Sequence, residues 1–160
     1  MANQTDTSTL TPAQIYGDAG LIFIRYDAEI VTKSNGDKKI GGSRPAFSKI
    51  TEQINYGPNS GDYYSLLMGR EFKPGRWSIL LDFDNKADDA SRSGTDLVKM
   101  LNMDQYDAPK QNTPSGGLHY ILCADAQQTK HITSRTTITY QGAVYNMDVK
   151  FKQRSVQLRP

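Results

Sequence analysis

The chain has 160 residues, of which 37% are hydrophobic, and a formal net charge of +2. This length predicts one domain, or one compact domain with a small annex, and the apolar content is sufficient for a core. No apolar run approaches the roughly 18 residues that a membrane span needs, and the N-terminal segment carries neither the basic nor the apolar region of a secretory signal. A single cysteine, Cys123, excludes an internal disulfide, and with two histidines it cannot complete a structural zinc site. The composition predicts an intracellular protein without a membrane segment.

Charge is distributed unevenly along the chain. Between Asp82 and Asp107 there are seven aspartates and three basic residues, whereas between Gln127 and Pro160 six basic residues accompany Asp148 alone. An acidic cluster beside a basic segment is typical of metal-dependent enzymes that act on polyphosphates. Solvated charged faces produce the same distribution, so charge alone leaves both interpretations open.

The first part of the chain predicts a tail followed by a small set of helices and strands. Residues 1–10 are rich in Ser and Thr, so we expect a disordered tail. Thr11 and Pro12 predict the start of a helix that ends between Gly17 and Gly20. The other expected elements are a strand at Leu21–Tyr26, a strand at Glu29–Thr32, a hairpin turn at Ser34–Asp37, a loop at Gly41–Pro45 and a short helix at Phe47–Ile54. The turn-rich segment from Tyr56 to Asp62 predicts a boundary near residue 60.

The second part predicts a sheet with a helix. Trp77–Phe83 is the most apolar segment and is expected to be a central strand. The other expected elements are strands at Tyr63–Met68 and Leu118–Cys123, loops at Gly69–Gly75 and Thr113–Gly117, a helix at Ser93–Leu101, a hairpin of Thr136–Tyr140 with Ala143–Asp148, and a strand at Val149–Leu158. This order of elements predicts an α+β fold with a mostly antiparallel sheet and two or three helices.

Two aspartates close the apolar central strand. Strand periodicity places Asp82 and Asp84 on one face, about 6–7 Å apart along the chain, with Phe83 on the other face. Two carboxylates side by side repel each other unless a cation lies between them, and Mg²⁺ or Mn²⁺ takes such hard oxygen ligands together with substrate phosphates. The alternative is an exposed strand end with two solvated acids.

A glycine-containing loop precedes the next apolar strand. Gly116 and Gly117 allow backbone N–H groups to converge on an anion, Ser115 adds a hydroxyl donor, and His119 lies within reach of a phosphate. The alternative is an ordinary turn followed by a half-buried strand histidine.

Asp148 lies within the apolar stretch from Val144 to Phe151. A carboxylate in the middle of a strand requires neutralisation or a metal ion. Lys150 follows two residues later on the same face, so a simple ion pair is the competing explanation.

In this combination and order, the motifs resemble those of the primase-polymerase domain of the archaeo-eukaryotic primase superfamily, found in viral, plasmid and phage replication proteins. The two most specific pieces are Leu80–Lys86, which contains the paired aspartates, and Thr113–Tyr120, which contains Ser-Gly-Gly-Leu-His. The resemblance extends from about Thr11 to the C-terminus.

The resemblance implies a set of site residues. Asp82, Asp84 and Asp148 are implied to bind two divalent cations, Mg²⁺ or Mn²⁺, and these three acids with His119 are the implied catalytic residues. The residues implied to bind the incoming nucleotide are Arg70, Ser115, Gly116, Gly117 and His119. The implied fold is an RRM-like catalytic sheet over residues 61–160 beside a small N-terminal α/β module over residues 11–60.

The resemblance implies a template-directed DNA primase or polymerase that adds NTPs or dNTPs to a 3′-OH, or starts primers, on single-stranded DNA. Many relatives carry a Cys/His zinc insertion that this chain lacks, and they continue beyond the point twelve residues after Asp148 where this sequence stops. We therefore expect a catalytic domain of a larger protein, with a helicase among its partners. Two alternative functions are a catalytically weak nucleic-acid-binding module and a Mn²⁺-dependent transferase of nucleotide sugars.

Overall fold

The computed structural model describes residues 16–26, 28–36, 38–42, 54–55, 63–113, 115–151 and 155–158. The fold is α+β, as predicted, with antiparallel pairing dominant and few helices. The chain divides into two compact units, one formed by residues 1–66 with 157–160 and the other by residues 67–156. Among the described helices, none combines the length and apolar character needed to cross a membrane.

The described strands are, in chain order, β1 (Phe23–Tyr26), β2 (Ala28–Thr32), β3 (Lys38–Gly42), β4 (Ile54–Asn55), β5 (Tyr63–Leu67), β6 (Glu71–Lys73), β7 (Arg76–Phe83), β8 (Lys110–Asn112), β9 (Leu118–Ala124), β10 (Ile138–Tyr140), β11 (Ala143–Tyr145), β12 (Met147–Lys150) and β13 (Ser155–Leu158). The described helices are α1 (Gly94–Met100), α2 (Ala126–Thr129) and a 3₁₀ turn at Met103–Gln105, and residues 16–18 are also helical.

The first unit contains a sheet in the order β13-β5-β1-β4 and a separate hairpin of β2 with β3. β1 pairs antiparallel with β5 and parallel with β4. The predicted hairpin turn is confirmed, and Gly36 adopts a φ of +87° there, a conformation that favours glycine.

Several predictions for this unit require correction. The first strand begins at Phe23 rather than Leu21, and Gly41 and Gly42 belong to β3 because they pair with Glu29 and Ala28. The division between the two compact units falls between residues 66 and 67, and β5 pairs with β1. The expected tail at 1–10, the start of the first helix, the loop from residue 43, the helix at 47–53 and the boundary segment 56–62 lie outside the described residues.

The second unit contains the sheet β12-β7-β9-β8, with β6 added to β7 as a hairpin. The elements β7, α1, β8, β9, α2 and β12 follow one another as a β-α-β-β-α-β unit. The hairpin of β10 and β11 is inserted before the last strand. β7 lies between β12 and β9, so the prediction of a central strand at Trp77–Phe83 is confirmed.

The helix α1 covers one face of this sheet. A buried cluster joins Leu97 and Val98 of the helix to Phe83, Tyr120 and Met147 of three neighbouring strands. The rings of Phe83 and Tyr120 meet edge to face, with centroids 5.7 Å apart. Burial of these apolar side chains is the main stabilising contribution of this face.

The sequence prediction missed or misplaced some elements of this unit. Residues 71–73, expected in a loop, form β6, and the short elements β8 and α2 were not expected. The strand expected at 143–148 is interrupted at Asn146, because residues 143–145 pair with β10 whereas residues 147–150 pair with β7. The strand expected at 149–158 is likewise divided between β12 and β13.

Candidate functional site

Four polar residues form a transverse row across the second sheet. Asp148 of β12 lies opposite Asp82 of β7, Asp82 lies opposite His119 of β9, and His119 lies opposite Gln111 of β8. Residues directly opposite each other share a face, and neighbouring strands are about 4.8 Å apart. The register therefore places these four residues side by side.

The row lies on the face opposite α1. Along β7 the side chains alternate, and Phe83 belongs to the cluster beneath the helix. Asp82 precedes Phe83 and therefore points to the other face. The same alternation separates Asp148 from Met147, so the sheet carries its apolar cluster on one face and its charged row on the other.

Asp82 is the most heavily contacted residue of the row. Its Oδ1 lies 3.1 Å from Nε2 of His119, and its Oδ2 lies 2.7 Å from Nζ of Lys150. The residue is only 8% exposed. Burial acts to raise the pKa of Asp82, but the hydrogen bonds and charges of His119 and Lys150 outweigh burial, so this pKa is below its ordinary value.

Asp148 has the opposite electrostatic balance. Burial is the largest cause of its raised pKa, and the carboxylates of Asp82 and Asp84 raise it further, while Lys150 acts in the other direction. The Nζ of Lys150 is 4.0 Å from Oδ2 of Asp148, considerably farther than from Asp82. The sequence left open an ion pair between Lys150 and Asp148 as the alternative to a metal ion. In the structure, the main partner of Lys150 is Asp82 instead.

Asp84 lies immediately beyond the end of β7. Its backbone N–H donates to the carbonyl of Asn146 at 3.1 Å, and its own carbonyl accepts the N–H of Gly94 at 2.8 Å. A Cβ on Gly94 would overlap the Asn146 carbonyl oxygen, so this approach requires a glycine. The side chain is 30% exposed, and its Oδ2 is 3.5 Å from Nζ of Lys86. The backbone thus holds Asp84 beside the segment that leads into β12 and Asp148.

His119 is 9% exposed and is oriented by Asp82. Because Nε2 lies against Asp82 Oδ1, the remaining nitrogen, Nδ1, is the position left for another partner. Nδ1 is buried and has no hydrogen-bond partner among the described residues. A buried polar atom without a partner is uncommon and costly, which makes Nδ1 a candidate ligand contact.

The loop before β9 lies at the same end of the sheet as Asp84, but its N–H groups are used internally. Gly116 N–H donates to the carbonyl of Thr113 at 3.0 Å, and Gly117 N–H donates to Thr113 Oγ1 at 2.9 Å. The predicted anion nest of Gly116 and Gly117 is therefore not formed in this conformation. Ser115 is exposed, with its hydroxyl 3.1 Å from Thr113 Oγ1.

Gly117 packs closely against the end of the central strand. A Cβ at this position would lie 2.5 Å from the carbonyl oxygen of Phe83. Gly116, at φ +83°, lies beside the side chain of Asn85. Close backbone approach thus requires a glycine at 117, which positions the loop next to Asp84, whereas the positive φ favours glycine at 116.

Arg70 is positioned near the opposite end of β7. Its carbonyl accepts the N–H of Ser78 at 3.0 Å. Ser78 precedes Asp82 by four residues, about 13 Å along a strand. The backbone of Arg70 is therefore remote from the row, in contrast to the other predicted nucleotide-binding residues.

The three predicted acids are chemically suited to Mg²⁺ or Mn²⁺, which prefer carboxylate oxygens. Asp82 and Asp148 are cross-strand neighbours, and the charges of Asp82 and Asp84 both act on Asp148. Within the described ranges, however, no three His, Cys, Asp or Glu side chains are arranged as a ready set of metal ligands. The contacts of Lys150 and His119 with both oxygens of Asp82 are consistent with that finding.

Sequence reasoning missed two residues of this region. Gln111 completes the row, but its short segment has no strand periodicity that could have revealed it. Asn146 is buried, and its side-chain amide donates to the carbonyl of Lys86 at 3.1 Å, which stabilises the segment after Asp84. The interruption of an apolar run by Asn146 was the only available signal.

No family model, no curated protein and no solved structure matches this chain.

Proposed function

We propose that the second unit is the catalytic sheet of a template-directed nucleotidyltransferase, a DNA primase or polymerase. It adds NTPs or dNTPs to a 3′-OH, or starts primers, on single-stranded DNA, with two Mg²⁺ or Mn²⁺ ions as cofactors. The observation that carries the proposal is the row in which Asp148, Asp82 and His119 occupy matching positions on three neighbouring strands. The motif resemblance supports the same assignment.

The charges of the row suit phosphoryl transfer. When bound, two divalent cations activate the attacking 3′-oxygen and neutralise the charge of the leaving pyrophosphate. Asp82, Asp84 and Asp148 would hold these cations through carboxylate oxygens. The new bond joins the 3′-oxygen to the α-phosphorus, the bond to the β-phosphate bridge breaks, and pyrophosphate leaves.

His119 would contact the triphosphate. Asp82 contacts the imidazole at Nε2 and restrains its ring, which leaves Nδ1 as the ring nitrogen available to a phosphate oxygen. Ser115, exposed in the neighbouring loop, can add a hydroxyl donor. Such prepositioned donors stabilise charge without reorganisation during the reaction.

The decisive experiment is nucleotide addition on defined templates. The protein is incubated with Mn²⁺, labelled dNTPs or NTPs, and single-stranded DNA with or without an annealed primer. We expect template-dependent products that require the metal ion. Extension of the primed template alone would identify a polymerase, and products on both templates would identify a primase.

Two other outcomes would replace the proposal. Binding of single-stranded DNA without nucleotide addition under any of these conditions would indicate a nucleic-acid-binding module. Competition of a nucleotide sugar with labelled nucleotide, together with sugar transfer, would indicate a glycosyltransferase. Neither outcome is expected, because neither assigns a role to His119 beside the acids.

A further inference from the structure

Lys150 lies close to both aspartates of the row. Its Nζ is 2.7 Å from Oδ2 of Asp82 and 4.0 Å from Oδ2 of Asp148. The lysine side chain is 23% exposed and that of Asp82 is 11% exposed, so the closer pair is largely withdrawn from water. Lys150 itself lies opposite Leu80 in the register, and its side chain reaches diagonally across the strands to Asp82.

This arrangement is unlike a surface ion pair. Lys110 of β8 and Asp104 of the 3₁₀ turn make a contact of similar length, 2.9 Å, but their side chains are 57% and 68% exposed. Exposed pairs of that kind contribute little because water screens them. The ammonium of Lys150 instead neutralises a buried carboxylate that faces a second carboxylate across the strand pair.

A divalent cation and the ammonium of Lys150 compete for Oδ2 of Asp82. Mg²⁺ coordinates oxygen at about 2.0–2.1 Å and requires near-octahedral geometry. Asp82 Oδ2 already lies within hydrogen-bond distance of Lys150, and Asp82 Oδ1 is occupied by His119. Coordination by Oδ2 in the space between Asp82 and Asp148 therefore requires displacement of the lysine ammonium.

We propose that Lys150 is an internal competitor of the catalytic metal: its ammonium bridges Asp82 and Asp148 in the metal-free protein and is displaced when a divalent cation binds. Lys150 thereby sets the cation concentration at which the site fills and keeps the charge of Asp82 compensated until then. This inference rests on the proposed function insofar as Asp82 and Asp148 are metal ligands. It assigns to Lys150 a regulatory role that is separate from nucleotide addition.

The test is binding of Mn²⁺ alone to the metal-free protein, measured from the electron paramagnetic resonance signal of free Mn²⁺ at mildly alkaline pH. Lys150→Met and Lys150→Gln remove the competing charge. We expect them to bind Mn²⁺ about 10- to 100-fold more tightly than wild type, the factor that corresponds to one hydrogen bond to a charged group. Lys150→Arg, which retains a cation, should remain much closer to wild type.

Matched controls separate direct displacement from a general charge effect. Lys86→Met removes the same charge beside Asp84, but Lys86 is 67% exposed, so its effect should be only a few-fold. Lys110→Met should have no effect. Equal Mn²⁺ affinity of wild type, Lys150→Met and Lys150→Gln would overturn the competitor role while leaving the metal site in place. Absence of Mn²⁺ binding in all variants would overturn the metal site and, with it, the proposed function.

A measurement on the wild-type chain covers the case in which the Lys150 variants fail to fold. The Cε resonance of Lys150 is followed by NMR during titration with Mg²⁺. We expect a saturable change for Lys150 and none for Lys110, because only the former loses its carboxylate partner. An unchanged Lys150 signal at saturating Mg²⁺ would show that the lysine stays on Asp82, and would overturn the inference.

Discussion

The two faces of the second sheet are built from the same three strands but differ in chemistry: one face is apolar and the other is polar. On one face, Phe83, Tyr120 and Met147 are almost completely buried beneath α1. On the other face, the immediately adjacent Asp82, His119 and Asp148 belong to the polar row. Each of these three residues thus has a chain neighbour in the apolar cluster.

The contrast shows how a small sheet can support a charged site. Strand side chains alternate, so a site residue and a core residue can be adjacent in sequence without competing for space. The apolar face supplies the free energy of burial that holds the strands in register. The register then determines which polar side chains meet on the other face. Substitutions on the two faces should therefore have separable effects.

The largest expected effect comes from the three acids proposed to bind the metal ions. Asp82→Asn, Asp84→Asn and Asp148→Asn should each reduce nucleotide addition by about 10³-fold or more, the range for removal of a group that stabilises charge in phosphoryl transfer. Primer extension with Mn²⁺ measures the rate, and circular dichroism checks the fold. Asp89→Asn, an exposed acid in the loop after β7, is the matched control and should remain active. Near wild-type extension by any one of the three variants would remove that acid from the proposed ligand set.

On the apolar face, Phe83→Ala should reduce the free energy of unfolding by about 3–5 kcal/mol, the usual result of deleting a buried aromatic ring. Phe83 is fully buried and packs edge to face on Tyr120. Urea denaturation measures the loss. Gln111→Ala, at the polar end of the row, should change stability by no more than about 0.5 kcal/mol. A similar loss of unfolding free energy for Phe83→Ala and Gln111→Ala would contradict the view that the apolar face alone supplies most of the stability.

An intermediate effect is expected from His119→Ala. Removal of the proposed phosphate donor should weaken nucleotide affinity about 10- to 100-fold, as for loss of a hydrogen bond to a charged group. Mn²⁺ and dNTP are titrated separately against the variant. Ser115→Ala, in the exposed loop, should have a smaller effect. An increased Mn²⁺ requirement with unchanged nucleotide affinity would place His119 among the metal ligands instead.

The smallest effect distinguishes the two acids that face each other across β7 and β12. The pKa of Asp148 is raised in the folded protein, so ionisation of this carboxyl lowers the free energy of unfolding. The full loss is present at pH values above the pKa of the folded state. No loss remains at pH values below the pKa of the unfolded state. The pKa of Asp82 is lowered, so its ionised form contributes stability that is lost as pH falls through the folded pKa.

In metal-free protein at neutral pH, Asp148→Asn should therefore raise the melting temperature and Asp82→Asn should lower it. Both differences should disappear in strong acid, where the wild-type carboxyls are protonated. Thermal denaturation across a pH series measures them. Shifts of the same sign for the two variants at neutral pH would show that Lys150 and His119 do not favour Asp82 over Asp148.

The sequence was sufficient for features that depend on neighbouring residues. Apolar content predicted the central strand that became β7, the turn at Gln141 and Gly142 predicted the hairpin of β10 and β11, and the pattern after Ser93 predicted α1. The α+β class followed from the order of these elements. Each prediction depends on local backbone preference and on side-chain periodicity, which the chain carries within a few residues.

Pairing between distant strands depended on the tertiary structure. Residues 63–67 have the periodicity of a strand, but this pattern does not say that β1 rather than β7 is the partner. The short strand β8, which brings Gln111 beside His119, has almost no pattern of its own and is identified by its pairing with β9. Partner choice results from burial and hydrogen bonding between segments far apart in sequence, and those are absent from any local pattern.

The same distinction holds within the candidate site. The sequence alone determined that Asp82 and Phe83 point to opposite faces and that Lys150 shares a face with Asp148, because successive strand residues alternate. The tertiary structure decided that Asp148 lies opposite Asp82 and that Lys150 contacts Asp82 more closely than Asp148. It also decided that the N–H groups of the glycine loop bond within the turn. Electrostatic partners and hydrogen-bond acceptors are selected by distance in the folded chain, and that distance is set only when the strands assemble in register.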